Sequence, residues 1–219
     1  MATATAAKYL EIIEQLVPET PVVFHNVSWE EYEQLHEAIG ERPVAHISFD
    51  SGTMEIMSIS TEHGYFAGML SSLIRLAVMR LNIRLRSFGS ATISKKDVLA
   101  GKEPDGCYYL KSLALIGSRI DLNFEHDPPP DIAIELDFSG SAIPKLPIYQ
   151  RLGLAEVWLY DGDEMTIYRL SAQGYESIAR SLELPCFTGE LLTEFMRAIQ
   201  SPDDDNQLLK DYVERIVRT

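Results

Sequence analysis

The segment Asp131-Ile-Ala-Ile-Glu-Leu-Asp-Phe138 alternates in character from one residue to the next and predicts a β-strand. Because successive side chains of a strand point to opposite faces, one face carries acidic and small side chains and the other only large apolar ones. The apolar face has to be buried. Two interpretations of the acidic face stay open: an edge or surface strand whose carboxylates lie in water, or a site where a divalent cation such as Mg²⁺ neutralises them.

A second acid, Asp105, comes directly before another strand-like run, Gly106–Leu110. If the two strands run antiparallel, the start of the first lies beside the end of the second, and Asp105 meets Glu135 and Asp137. Asp131 lies at the opposite end of its strand and is therefore interpreted as structural. This second acid favours the metal site over the solvated strand.

The rest of the chain predicts one long helix, a mainly antiparallel set of strands and a later β-helix-β unit. This mixture is typical of an α/β or α+β fold with a mixed sheet. A capping box at Ser28 and Glu31 marks one helix start, and Asp50-Ser51-Gly52 predicts a three-residue hairpin turn. The predicted helices are 6–17, 29–39, 62–82, 145–152, 191–199 and 207–217. The predicted strands are 44–49, 53–58, 85–88, 91–93, 107–110, 132–138, 156–160, 165–170 and 175–179.

The composition is that of a soluble globular protein, with 46% hydrophobic and 24% charged residues among 219. It excludes disordered, collagen-like and disulfide-stapled classes. Cys107 and Cys186 fit neither a metal knuckle nor a disulfide framework, and the chain starts without a secretory signal. The most apolar stretch, 65–81, is too polar and too short to span a membrane. We therefore expect a cytoplasmic protein with no membrane partner.

The net charge of −14 argues against nucleic-acid binding, but it is unevenly distributed. Residues 75–102 carry seven basic side chains against the single acid Asp97, a net charge of +6, which leaves −20 elsewhere. Part of this surplus has a plain explanation, because arginines near a helix C-terminus are favoured by the helix dipole. The other interpretation is a surface that faces phosphate groups. Its candidate contacts are Arg84, Arg86, Lys95 and Lys96.

Five segments, taken in order and spacing, resemble the Uma-two family of restriction-endonuclease-like proteins. The resemblance covers about residues 20–170, and the motifs are specific as a set although each alone is weak. They are Gly52-Thr-Met-Glu-Ile-Met57, Ser60-Thr-Glu-His63, Glu103-Pro-Asp105, Asp127-Pro-Pro-Pro-Asp-Ile-Ala-Ile-Glu135, and Lys145-Leu-Pro-Ile-Tyr149 continuing through Gly153-Leu-Ala-Glu-Val-Trp-Leu-Tyr-Asp161.

The resemblance implies a fold and a domain organisation. The family belongs to the PD-(D/E)xK nuclease superfamily, whose restriction-endonuclease-like core has a helix, a mixed β-sheet and a β-hairpin that carries the acids. We accordingly expect a single domain over residues 1–219, with the core at about 20–170. An N-terminal helix, a C-terminal hairpin and the last helices would be additions to it.

The resemblance also implies roles for particular residues. Asp105 and Glu135 correspond to the two metal ligands, for Mg²⁺ or Mn²⁺. The superfamily's usual lysine, two residues after the second acid, is Asp137 here, so the ammonium would come from Lys145. Asp137 is then a possible third acid, and Tyr149, Trp158 and Asp161 are expected to be framework.

Two residues at the start of the long helix complete the candidate site. Glu62 matches the helix-borne acid of many such nucleases and could bind a second metal or orient Lys145. His63 beside it is a candidate general base or phosphate contact, although a lone histidine at a helix start is more often a cap or packing residue.

The sequence therefore predicts a metal-dependent endonuclease that hydrolyses DNA, with a homodimer as the form suited to cutting two strands. The alternative is a nuclease-fold protein that no longer cuts and binds DNA or a protein partner. It is favoured by the negative charge and by the displaced lysine. A third alternative, an acidic surface without any site, requires that Asp105 not converge on the acidic strand.

Overall fold

A computed structural model describes residues 4–40, 45–138, 140 and 144–218. In these ranges the chain forms seven α-helices and eleven β-strands. The helices are α1 (Ala4–Ile13), α2 (Trp29–Ile39), α3 (Thr61–Arg80), α4 (Leu113–Ile116), α5 (Lys145–Leu152), α6 (Gly189–Ala198) and α7 (Asp205–Arg218). The strands are β1 (Val22–His25), β2 (His46–Asp50), β3 (Thr53–Met57), β4 (Arg86–Gly89), β5 (Ile93–Lys95), β6 (Ala100–Lys102), β7 (Gly106–Tyr109), β8 (Ile132–Leu136), β9 (Glu156–Tyr160), β10 (Met165–Ser171) and β11 (Gly174–Ile178).

The strands form two sheets rather than the one sheet expected from the sequence. The first sheet is antiparallel, with the order β1-β3-β2-β6-β5. The second has the order β11-β10-β9-β8-β7-β4 and is mixed, because β8 and β9 run parallel on either side of α5 in sequence. The mixed α/β class and the β-helix-β unit are confirmed.

The hairpin of the first sheet is tighter than predicted. Asp50 pairs with Thr53, which leaves only Ser51 and Gly52 in the loop, both with positive φ (47° and 92°). A two-residue loop of this kind matches the right-handed twist of the flanking strands. Val44, where the sequence predicts the strand to begin, lies outside the described residues.

The acidic strand β8 lies inside the second sheet, between β7 and β9, and every residue from Ile132 to Leu136 is buried. Ile132, Ile134 and Leu136 join the apolar cluster of α3, while Ala133 packs in a second cluster with α5. The edge-strand interpretation is therefore wrong. Both faces are covered by helices, as is usual where a strand has a parallel neighbour.

The strands β7 and β8 pair antiparallel, with Gly106 opposite Ile134, as the argument that Asp105 meets Glu135 requires. The two strands are neighbours but not a tight hairpin, because α4 and a long loop lie between them in the chain. The largest apolar cluster joins α3, β8, β9 and β10 to α6 and α7. The helices α6 and α7 thus pack into the largest apolar cluster.

None of the helices among the described residues combines the length and the apolar character that crossing a membrane requires.

Candidate active site

Asp105 extends the β7–β8 ladder by one residue and turns its carboxylate toward the end of β8. Its amide donates to the carbonyl of Ile134 at 2.9 Å, and the amide of Leu136 donates to Asp105 Oδ2 at 2.6 Å. The side chain is only 4% exposed. The pairing of the two strands therefore brings Asp105 beside Glu135, the residue between Ile134 and Leu136.

Glu135 is buried in contact with two ammonium groups and a phenol. Its Oε2 lies 3.2 Å from Lys145 Nζ and 3.3 Å from Lys102 Nζ, and Tyr149 donates its hydroxyl to Oε1. Lys145 and Tyr149 stand one turn apart on the same face of α5, which explains why both reach one carboxylate. Tyr149, expected to be framework, is thus in direct contact with the candidate site.

The charges of this group are set by burial and by the neighbouring carboxylates. Burial alone would lower the pKa of Lys145, but Glu135, Asp137 and Asp105 outweigh it and raise that pKa, so the side chain is an ammonium. Burial and the charge of Glu135 raise the pKa of Tyr149 well above its ordinary value, so the phenol keeps its proton and donates it.

His63 fixes Asp105 from the start of α3. Ser60 caps this helix by accepting from the amide of His63, and the imidazole Nε2 lies 2.6 Å from Asp105 Oδ1. On the other side, Nδ1 lies 3.3 Å from Glu19 Oε1, which also accepts from the amide of Ser60. The ring is 1% exposed and lies between two carboxylates.

The pKa shifts of His63 and Asp105 both favour the charged form of the pair. Burial lowers the pKa of His63, but the hydrogen bond and charge of Asp105, with that of Glu19, raise it above the ordinary value. Burial raises the pKa of Asp105, but the hydrogen bond and charge of His63 leave it below the ordinary value. Both ring nitrogens of His63 face carboxylates, so this geometry suits a positioning role better than a general base.

His46 is a second histidine near Asp105. Its Nδ1 lies 3.7 Å from Asp105 Oδ1, and its ring centroid lies 6.1 Å from that of His63. Burial lowers the pKa of His46 in spite of the charge of Asp105, which favours the neutral ring.

The other two predicted acids differ in their positions. Asp137 is near the site: its Oδ2 lies 3.5 Å from Lys145 Nζ and its Oδ1 accepts from the amide of Gly140. Glu62 is exposed on α3, and within the described residues the interactions found near Asp105 and Lys145 do not include it. The structure thus brings together Asp105, Glu135, Asp137, Lys145 and His63, but not Glu62.

Asp131, at the far end of β8, binds the chain where it leaves β7. It accepts from the amide of Leu110 at 2.6 Å, and from the amide and hydroxyl of Ser112 at 3.0 and 2.7 Å. This fits the structural interpretation of Asp131.

The side chains of the basic stretch differ in their surroundings. Arg86 donates to the carbonyls of Gly117 and Arg119 at 3.0 and 2.8 Å, and Lys96 lies 3.0 Å from Glu30 on the surface. Arg84 lines a small surface pocket. Lys95 lies half-buried on β5, and Lys102 points into the candidate site. Contact of Arg84, Arg86, Lys95 and Lys96 with nucleic acid stays a prediction.

Sequence reasoning missed Lys102, His46 and Glu19. Lys102 was counted only as one charge among seven, although it stands three residues before Asp105 in Gly101-Lys-Glu-Pro-Asp105. The short β6 that carries it pairs with β2, where Ser48 is its register partner. The available signal was the position of Lys102 directly after Gly101 and three residues before Asp105, which would have indicated a lysine close to the acidic site.

The donor set of the site fits a hard divalent cation, because Asp105, Glu135 and Asp137 offer carboxylate oxygens, the ligands that Mg²⁺ and Mn²⁺ prefer. As they stand, the described residues contain no group of three or more histidine, cysteine or acidic side chains arranged to hold a metal ion. Ammonium groups, a phenol and an imidazole contact the oxygens of Asp105 and Glu135.

Comparison with known proteins gives one family. The model of the Uma2 family, described as "Putative restriction endonuclease", matches residues 29–195. The chain is also similar to a crystal structure described as "a putative nuclease belonging to DUF820" from Anabaena variabilis. The two share 17% sequence identity with a TM-score of 0.44, over 76% of this chain and 90% of that one. No curated protein sequence matches the chain.

Proposed function

The chain belongs to the Uma2 (Uma-two) family, and from that premise we propose that it is a metal-dependent endonuclease that hydrolyses DNA phosphodiester bonds. One observation carries the proposal: Asp105 and Glu135 lie on neighbouring strands, and the ammonium of Lys145 lies 3.2 Å from Glu135. Two acids and a lysine in one buried cluster are the groups that such a hydrolysis needs.

Asp105 and Glu135 are the proposed metal ligands, with Asp137 as an additional acid. When bound, Mg²⁺ or Mn²⁺ supplies an activated water and stabilises negative charge on the leaving oxygen. Lys145 orients the phosphate and balances its charge from the start of α5. His63 keeps Asp105 ionised and in one orientation, since Asp105 accepts its hydrogen bond at 2.6 Å.

The finer assignments of fold, location and assembly belong to the same proposal. We infer a restriction-endonuclease-like core made of α3, the strands β7, β8 and β9, and α5. Hydrolysis of both DNA strands would use a homodimer. A cytoplasmic location is in keeping with the two free thiols, Cys107 and Cys186.

The direct test is cleavage of supercoiled plasmid and of a labelled oligonucleotide duplex in Mg²⁺ or Mn²⁺, with EDTA as the blank. Glu135→Ala and Lys145→Ala should each lower the rate by about a hundredfold or more, as removal of groups that stabilise the transition state does. Asp203→Asn and Lys210→Ala change an exposed acid and an exposed lysine and serve as matched controls. Cleavage that persists in both site variants would exclude the proposal.

The alternative, a nuclease-fold module that binds without cutting, has one observation in its favour. Glu135 is already neutralised by two ammonium groups, so the site is electrically satisfied without a metal. Thermal unfolding with and without millimolar Mn²⁺ separates the two functions, because a ligand of the folded state raises the Tm by mass action. A Tm that Mn²⁺ leaves unchanged, in a protein that binds DNA, supports the module that binds without cutting.

A further inference from the structure

One oxygen of Glu135 is shared by two lysines that come from different parts of the fold. Lys145 begins α5, which lies in sequence between two strands of the second sheet, whereas Lys102 ends β6 in the first. Their Nζ atoms lie 3.2 and 3.3 Å from the same Oε2, and the three side chains are 5%, 4% and 2% exposed. The first sheet therefore contributes a cation to a carboxylate of the second.

The two lysines are not equivalent, because their other partners differ. Lys145 also lies 3.5 Å from Asp137 and keeps a counter-charge if Glu135 turns to another ligand. Lys102 forms its only ion pair with Glu135, as far as the described part of the chain goes. A buried ammonium that loses the carboxylate of its ion pair is strongly unfavourable and has to move closer to another anion.

We propose, resting on the function proposed above, that Lys102 is an internal cation that neutralises Glu135 until a divalent cation binds there, and that it then moves to the DNA phosphate. A divalent cation attracts a buried carboxylate more strongly than an ammonium does, and both compete for Oε2 because the phenol of Tyr149 engages Oε1. The phosphodiester is the anion that this exchange makes available to Lys102.

The exchange predicts opposite effects on metal binding and on DNA binding. In Lys102→Met, Mn²⁺ measured by calorimetry should bind about threefold or more tightly than in wild type, because an internal competitor is gone. The same variant should bind a short DNA duplex about threefold or more weakly in Ca²⁺. Lys210→Met, which changes an exposed lysine, should leave both constants unchanged. A lysine that only supported the fold would weaken both.

The outcomes separate this inference from the proposed function. Equal or weaker Mn²⁺ binding by folded Lys102→Met overturns the exchange and leaves the metal centre in place. Absence of Mn²⁺ binding by the wild-type protein overturns both.

If Lys102→Met does not fold, acetylation of the wild-type protein gives the answer. Lys102 should be labelled several-fold faster in saturating Mg²⁺ than in EDTA, while exposed Lys210 stays constant. Equal labelling of Lys102 in the two conditions overturns the exchange.

Discussion

The Nε2 atom of His63 and the Oδ1 atom of Asp105 lie 2.6 Å apart in a pair that is almost fully withdrawn from solvent. Removing the imidazole would leave Asp105 as a buried charge without His63, although the hydrogen bond from the amide of Leu136 would remain. We therefore predict that His63→Ala lowers the free energy of unfolding by about 3–5 kcal/mol, the range for breaking a buried pair from one side. Urea denaturation in EDTA measures it.

The control for this loss is His25→Ala, which changes an exposed histidine at the end of β1 and should stay within about 0.5 kcal/mol of wild type. A similarly small change in His63→Ala would mean that the pair does not support the fold.

The stabilisation from His63 should depend on pH. Burial lowers its pKa, but Asp105 and Glu19 outweigh burial and raise it above the ordinary 6.5. Because the folded protein holds the proton more tightly, this stabilisation is fully present below about pH 6.5 and is lost as the pH rises through the raised pKa. The difference in unfolding free energy between wild type and His63→Gln should therefore shrink with rising pH. A difference that grows above neutral pH would contradict this assignment.

Gly101 of β6 has no room for a side chain. A Cβ at this position would lie 2.1 Å from the hydroxyl oxygen and 2.6 Å from Cζ of Tyr32, a residue of α2 that is 1% exposed. Gly101→Ala should lower the free energy of unfolding by about 1–3 kcal/mol, because overpacking forces strands and rings apart.

The matched control is Gly68→Ala on the exposed side of α3, where a Cβ meets nothing within 4 Å. That change should stabilise the helix by about 0.5–1 kcal/mol. Equal stabilities of the two variants would refute the contact.

Glu156 of β9 is a buried acid outside the candidate site. It accepts from Trp158 Nε1 at 2.6 Å, from the Ser181 hydroxyl at 2.5 Å and from the amide of Leu182 at 2.9 Å. Glu156→Ala leaves three donors without this acceptor and should cost about 2–5 kcal/mol, whereas exposed Glu176→Ala should cost less than about 1 kcal/mol. Metal binding by the folded fraction should be unchanged, because Glu156 lies outside the site cluster. Loss of metal binding in that fraction would show that this acid is more than framework.

The two cysteines should react at different rates. Burial raises the pKa of the Cys107 thiol to about 12, and that side chain is 0% exposed, while Cys186 is half-buried. Since the thiolate is the reactive form, an alkylating reagent at pH 8 should modify Cys186 in the folded protein and Cys107 only after unfolding. Mass spectrometry of peptides from timed samples measures both. Modification of Cys107 at the rate of Cys186 in the folded state would contradict the buried position of β7.

Two helices whose ends carry a local sequence signal were predicted with their correct bounds. The capping box of Ser28 and Glu31 gave the bounds of α2 without error, and the run from Lys145 to Leu152 gave those of α5. The antiparallel pairing that places Asp105 beside β8 was a condition of the sequence argument, and the structure has it.

Long-range packing explains what the sequence did not predict. The three residues of β6 have no apolar alternation, and their strand identity depends on pairing with β2 and β5. The position of Lys102 in the site was not predicted for the same reason, because it depends on the pairing of β6 with β2 and β5. Glu62 and His63 differ for a local geometric reason: neighbours on a helix point about 100° apart, so only one of them faces Asp105. Which one it is depends on how α3 is rotated against the sheet.

The chain passes from the first sheet to the second for the last time at Glu103 and Pro104, between Lys102 of β6 and Asp105. A chain cut at this point would carry the ammonium on one fragment and Glu135, which it neutralises, on the other. The Lys102–Glu135 ion pair therefore joins the part of the chain before Glu103 to the part after it. Fragment 1–103 would lack the carboxylate that pairs with Lys102, whereas fragment 104–219 would keep Glu135 with Lys145 alone. Only reassociation of the fragments would restore the second ammonium.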